Sequence, residues 1–156
     1  MKKILLTLLA VITMATTVFA ASTKQDALNF FNSYVSAANN YNPEITTMYS
    51  PSARIIREIV KPDGSTVTRV TNTQRYISEM RKSQIVAKVR NYKNTYTNIK
   101  VEQTGTDTYK ISSLRQPSGE SYKLKAYFVV KKQPNGKWLI IEEMMQTKVQ
   151  MLINAK

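Results

Sequence analysis

Ser121-Tyr122-Lys123-Leu124-Lys125-Ala126-Tyr127-Phe128-Val129-Val130-Lys131-Lys132, the turn Gln133-Pro134-Asn135-Gly136 and the return Lys137-Trp138-Leu139-Ile140-Ile141-Glu142-Glu143-Met144-Met145 decide the fold. Tyr122, Leu124, Ala126, Phe128 and Val130 alternate with Lys123, Lys125, Tyr127, Val129 and Lys131. Period-two alternation predicts a strand with one dry and one wet face. Asn-Gly tolerates the positive φ that tight hairpin turns use, so the two halves are expected to pair antiparallel.

Working back from this hairpin, the same signals recur. Asn91 to Gln103 is β-branched and aromatic, Thr104-Gly105-Thr106-Asp107 turns, and Thr108 to Arg115 returns. Earlier, Ala53 to Lys61 and Ser65 to Val70 predict a short hairpin around Pro62-Asp63-Gly64, in which the opposite charges of Arg57-Glu58 read as strand surface. The N-terminal part reads as helical. Ala27, Phe30, Phe31, Tyr34, Val35 and Ala38 recur at helical spacing behind a Ser22/Thr23 cap. Asn42-Pro43 starts a short helix to Met48, closed by Tyr49-Ser50-Pro51-Ser52. Thr71-Asn72-Thr73-Gln74 opens another helix, ending near Lys82 or near Val89. The last strand is expected to reach about Val149. Helices first and strands after predict an α+β domain: N-terminal helices on a curved antiparallel four-stranded meander plus a short hairpin.

Residues 1–20 carry the marks of a secretory signal peptide. Lys2 and Lys3 precede an apolar run, and Val18-Phe19-Ala20 suits cleavage after Ala20. The expectation is one domain over 21–156, exported by a bacterium to the periplasm or exterior, with no integral membrane segment after cleavage. The 156 residues hold 23 Lys+Arg against 10 Asp+Glu, a net charge of +13, which falls to +11 once Lys2 and Lys3 are removed. Outside the cytoplasm such a charge points to anionic envelope components, and nucleic acid becomes a minor candidate. There is no Cys and no His. Disulfides, thiolate or imidazole metal ligands, and Cys or His catalysis are therefore excluded. No metal or cofactor is expected.

The element order resembles the nuclear transport factor two-like superfamily, with its ketosteroid-isomerase-like and dehydratase-like branches. The resemblance rests on Ala27-Leu28-Asn29-Phe30-Phe31, the Tyr49 to Ile59 passage, and Asn135-Gly136-Lys137-Trp138-Leu139-Ile140. It spans about Thr23 to Gln150. It implies a cone with a cavity between sheet and helices, and dimerisation through the sheet as relatives commonly do.

Glu143 is the leading candidate residue. If Leu139, Ile141, Glu143 and Met145 form the inward face of the last strand, a carboxylate sits among apolar side chains, where its pKa rises and general-base work becomes available. By resemblance to ketosteroid isomerase, Tyr34 and Tyr49 would supply hydroxyl donors. If the strand bulges or frays after Ile141, Glu142 and Glu143 sit at a wet rim instead. The expected pocket is Phe31, Tyr34, Tyr49, Phe128, Glu143 and Met145, suited to a small apolar ligand. Arg81, Lys82, Lys88, Arg90 and Lys93, with Lys123 and Lys125 on the wet sheet face, form a basic surface for an anionic polymer or protein partner. Met80, Met144, Met145 and Met151 are ordinary core or the lining of an adaptable pocket.

Two functional readings result. One is an exported, non-enzymatic binding module. The other is a small cofactor-free isomerase or dehydratase with Glu143 as base and a Tyr hydroxyl as its partner.

Overall fold

The computed structural model describes residues 21–153, so the expected signal peptide and its cleavage at Ala20 lie outside the described residues. Helix α1 (Lys24–Asn39) starts at Thr23, whose side chain accepts from the Asp26 amide while the Asp26 carboxylate accepts from the Thr23 amide. A 3-10 turn (Pro43–Met48) leads into β1 (Tyr49–Val60) and β2 (Thr66–Asn72). Helix α2 (Thr73–Val89) follows, and then β3 (Asn94–Gly105), β4 (Thr108–Pro117), β5 (Leu124–Lys132) and β6 (Trp138–Thr147). A second 3-10 turn (Gln150–Ile153) closes the described chain.

The fold is α+β, with both helices packed on a curved sheet. Strands β3 to β6 form the expected antiparallel meander. The β1–β2 hairpin does not stand apart from it. β1 pairs parallel with β6, so one six-stranded sheet runs β2-β1-β6-β5-β4-β3. Several expected boundaries move. β1 begins at Tyr49, four residues before Ala53, because the register shift between Tyr49 and Arg54 accommodates Pro51 without a ladder bond. α2 reaches Val89, and β6 stops at Thr147. In the Asn135-Gly136 turn only Gly136 adopts a positive φ, of 82°.

The largest correction concerns β6. Val129 pairs with Glu142 and Val130 with Ile140, so Ile141 is the extra residue of a β-bulge. A bulge switches which residues face inward. Before it, Trp138 and Ile140 face the core, and Leu139 and Ile141 do not. After it, Glu143, Met145 and Thr147 point inward.

The core lies between α1 and the inner sheet face. Phe31 and Tyr34 pack tilted against Phe128 of β5, with ring centres 5.1 Å and 4.9 Å away. Phe30 stacks on Trp138 at 6.1 Å. Of the dry face read from the alternation, Leu124, Ala126, Phe128 and Val130 are buried, whereas Tyr122 precedes β5 and is half-buried.

Candidate functional site

Glu143 is completely buried, and the four side chains around its carboxylate come from three elements, α1, β1 and α2. In the parallel pairing Ile55 lies beside Glu143 and Arg57 beside Met145, which puts Arg57 on the same inner face. Its Nη2 donates to Glu143 Oε1 at 2.6 Å. Tyr76 of α2 donates to the same oxygen at 3.3 Å. Tyr49, at the start of β1, donates to Oε2 in a short contact. The Tyr34 hydroxyl from α1 lies 3.4 Å from Oε2 and 3.2 Å from the Tyr49 hydroxyl. Each carboxylate oxygen therefore faces two donors, and a carboxylate has about four lone-pair sites in all.

Burial lowers the acidity of these phenols, and the neighbouring Glu143 charge adds to the effect. Tyr34 and Tyr49 are pushed well above the usual value of 10, and Tyr76 is pushed up to about 12. Burial alone would weaken the Arg57 cation, but the adjoining carboxylate outweighs it and holds the guanidinium charged. Its side chain is 20% exposed, and its Cζ sits 5.0 Å above the Tyr76 ring.

A cavity of about 300 Å³ opens beside this cluster, between the helices and the inner sheet face. α1 contributes Tyr34, Ala38 and Asn39 to its wall, and α2 contributes Tyr76, Met80, Ser83, Gln84 and Ala87. The sheet contributes Arg57, Arg115, Met145 and Thr147. Of the six expected pocket residues, Tyr34 and Met145 line this cavity. Phe31 and Phe128 are core beneath it. Glu143 sits behind Tyr34, Arg57 and Tyr76. Tyr49 borders a separate surface depression with Ile77, Arg81 and Lys82. Met80 lines the cavity, whereas Met144 is paired with Ile56 on the outer sheet face.

Sequence reasoning missed the two arginines. Arg57 read as a strand-surface residue, although Ile55 and Ile59 flank it at spacing two. Arg115 follows Tyr109, Ile111 and Ser113 in the same way. Both alternations carried the signal. The expected basic residues Arg81, Lys82, Lys88, Arg90, Lys93, Lys123 and Lys125 are all exposed. Among the described residues, no helix is long and apolar enough to cross a membrane, and no three acidic side chains gather as metal ligands.

No protein-family model matches the chain, and no curated protein matches it at a significant level. Solved structures do. An NTF-2-like protein of unknown function from Shewanella oneidensis aligns with TM-score 0.59 at 12% identity, over 79% of this chain and 98% of its own. A candidate scytalone dehydratase from Novosphingobium aromaticivorans aligns with TM-score 0.56 at 11% identity, over 78% and 80%. A candidate ketosteroid isomerase from Shewanella frigidimarina aligns with TM-score 0.54 at 18% identity, over 75% and 91%. At these identities the likeness shows the fold, which is the nuclear transport factor two-like one. The same fold carries candidate enzymes and a protein of unknown function, so it assigns no activity.

Proposed function

We propose that the mature chain is an exported, non-enzymatic binding module that holds a small ligand in the cavity beside Arg57 and Tyr76. One observation carries this reading: Glu143 faces four donors, while the cavity next to it is open. A general base needs a free lone pair directed at the substrate proton. Glu143 has an arginine and three tyrosines around its oxygens, which suits a wall that fixes cavity shape. The mixture of apolar side chains with a few convergent polar groups is the usual lining of a ligand site.

Native mass spectrometry of the mature protein, purified from its own envelope fraction, tests this. A discrete extra mass that leaves on denaturation is expected. Bare protein from several preparations counts against a resident ligand. The isomerase or dehydratase reading requires Glu143 to release a donor when substrate enters. Transfer of a substrate α-proton to solvent, lost in Glu143→Gln, would establish it over the binding reading.

A second observation supports a surface role. On α2 the residues Ile85, Val86 and Val89 are 74%, 51% and 82% exposed, beside the exposed cations Arg81, Lys82, Lys88 and Arg90. An apolar strip flanked by cations fits an anionic lipid surface.

A further inference from the structure

Arg115 is the cation in the cavity wall that lacks a counter-charge. Strand β4 turns Tyr109, Ile111, Ser113, Arg115 and Pro117 inward, and each is buried. The Arg115 side chain is taken out of water, with the residue 6% exposed. Among the described residues, no carboxylate forms an ion pair with it. Its partners are all neutral. Nη1 donates to Asn94 Oδ1 at 2.8 Å and to the Tyr92 hydroxyl at 3.3 Å, and Nη2 donates to the Gln146 carbonyl at 2.8 Å. A guanidinium has five N–H donors. Nε–H has no partner, and one Nη2 proton is also left over. Ser113 Oγ, two residues away on the same inner face, is another buried polar atom without a partner.

Arg57 is already neutralised by Glu143, so the cavity wall keeps one unbalanced positive charge at Arg115. A buried charge is costly until something of opposite sign meets it. The rest of the lining includes Met80, Met145 and the Tyr76 ring, which suit an apolar or aromatic body. We propose that the cavity binds a small organic carboxylate, its head on Arg115 and its body against Met80, Met145 and Tyr76. This deepens the ligand-binding reading and rests on it.

Isothermal titration with phenylacetate, phenylacetamide and inorganic phosphate tests the proposal. Phenylacetate and its amide share shape and differ in charge. Phenylacetate is expected to bind at least about tenfold more tightly than the amide, as a charge-assisted pair requires. Arg115→Gln should erase that preference and keep amide binding. Because Arg115 also ties β3 to β6, folding of this variant is checked by circular dichroism. Two measurements stand independently of it. The Arg115 Nε–H resonance of the unaltered protein should shift on adding phenylacetate and not on adding the amide. Ala87→Phe, which fills the cavity from α2, should remove binding of both. Equal affinity for acid and amide overturns the carboxylate inference and leaves the binding reading standing. Phosphate binding as tightly as phenylacetate overturns the organic part of it. Absence of binding by all three probes overturns the inference, and the broader reading fails with it only if native mass spectrometry also finds bare protein.

Discussion

Glu143 is kept in the interior by what surrounds it, and the arrangement has no slack. Glu143→Gln removes the charge opposite Arg57 and turns one oxygen into an amide group that meets donors on every side. Breaking a buried ion pair from one end costs roughly 3–5 kcal/mol, and the partial exposure of Arg57 places the loss toward the lower end. Urea unfolding of the variant measures it. The tyrosines carry a second consequence. In the unfolded chain they ionise near 10, whereas in the fold Tyr76 holds its proton to about 12 and Tyr34 and Tyr49 hold theirs longer. The unfolded state therefore binds fewer protons above pH 10, and stability must fall as pH rises through that range. Urea midpoints taken between about pH 9 and about pH 11.5 are expected to decline, and less steeply in Tyr34→Phe than in the parent. A flat profile would show that these hydroxyls titrate as they do in water. At this scale the sequence was partly legible. Tyr34, Tyr49 and Glu143 were singled out, and the structure brings them together. Arg57 was read as surface because opposite charges at Arg57-Glu58 look like an exposed pair, although neighbours at spacing two said otherwise.

The decisive element is β6, and its bulge explains why simple alternation misassigned half the strand. Counting odd residues inward from Leu139 gives the right face for Glu143 and Met145 and the wrong face for Leu139 and Ile141. A single extra residue at Ile141 reconciles the two halves. Nothing in Ile140-Ile141 marks the bulge locally, because both residues are equally apolar and β-branched. The signal is tertiary: Ile140 must pair with Val130 in the core while Glu143 meets Arg57 across the parallel β1 ladder. Substitution separates the two isoleucines. Ile140→Ala, at a site 1% exposed, is expected to cost about 2–5 kcal/mol. Ile141→Ala, at a half-buried outer position, is expected to cost under about 1.5 kcal/mol. Equal losses in urea titrations would place both residues on one footing and remove the bulge. The meander, the opening helix and its buried stripe were legible because each repeats a simple period over many residues. The parallel junction of β1 with β6 was not, since no local pattern distinguishes a detached hairpin from one that joins a sheet edge.

For the whole molecule, the outstanding quantity is the net charge, +13 over the 156 residues and +11 without Lys2 and Lys3, and α2 exposes cations and apolar side chains together. Charge alone predicts adhesion to any polyanion, and salt screens such adhesion within about 10 Å at 0.1 M. The apolar strip of Ile85, Val86 and Val89 adds a contribution that salt does not screen. It lies opposite the side of α2 that walls the cavity with Ser83, Gln84 and Ala87, so it is free of the core. Sedimentation with vesicles distinguishes the contributions. Binding is expected to vesicles containing phosphatidylglycerol and not to pure phosphatidylcholine. Each cation near the surface is worth about 1 kcal/mol, so Lys88→Glu with Arg90→Glu should weaken partition at least about tenfold. Val89→Glu should also weaken it, although it removes no cation. All three positions are exposed, so folding stability should change by no more than about 0.5 kcal/mol each. Loss of binding in the charge variants with Val89→Glu unaffected would mean that the helix meets a soluble or wall polyanion through charge alone. Equal binding to neutral and anionic vesicles would mean that charge plays no part in it. Loss in both kinds of variant requires the apolar strip and its flanking cations to enter one interface, which a bilayer surface provides and a hydrated polymer does not.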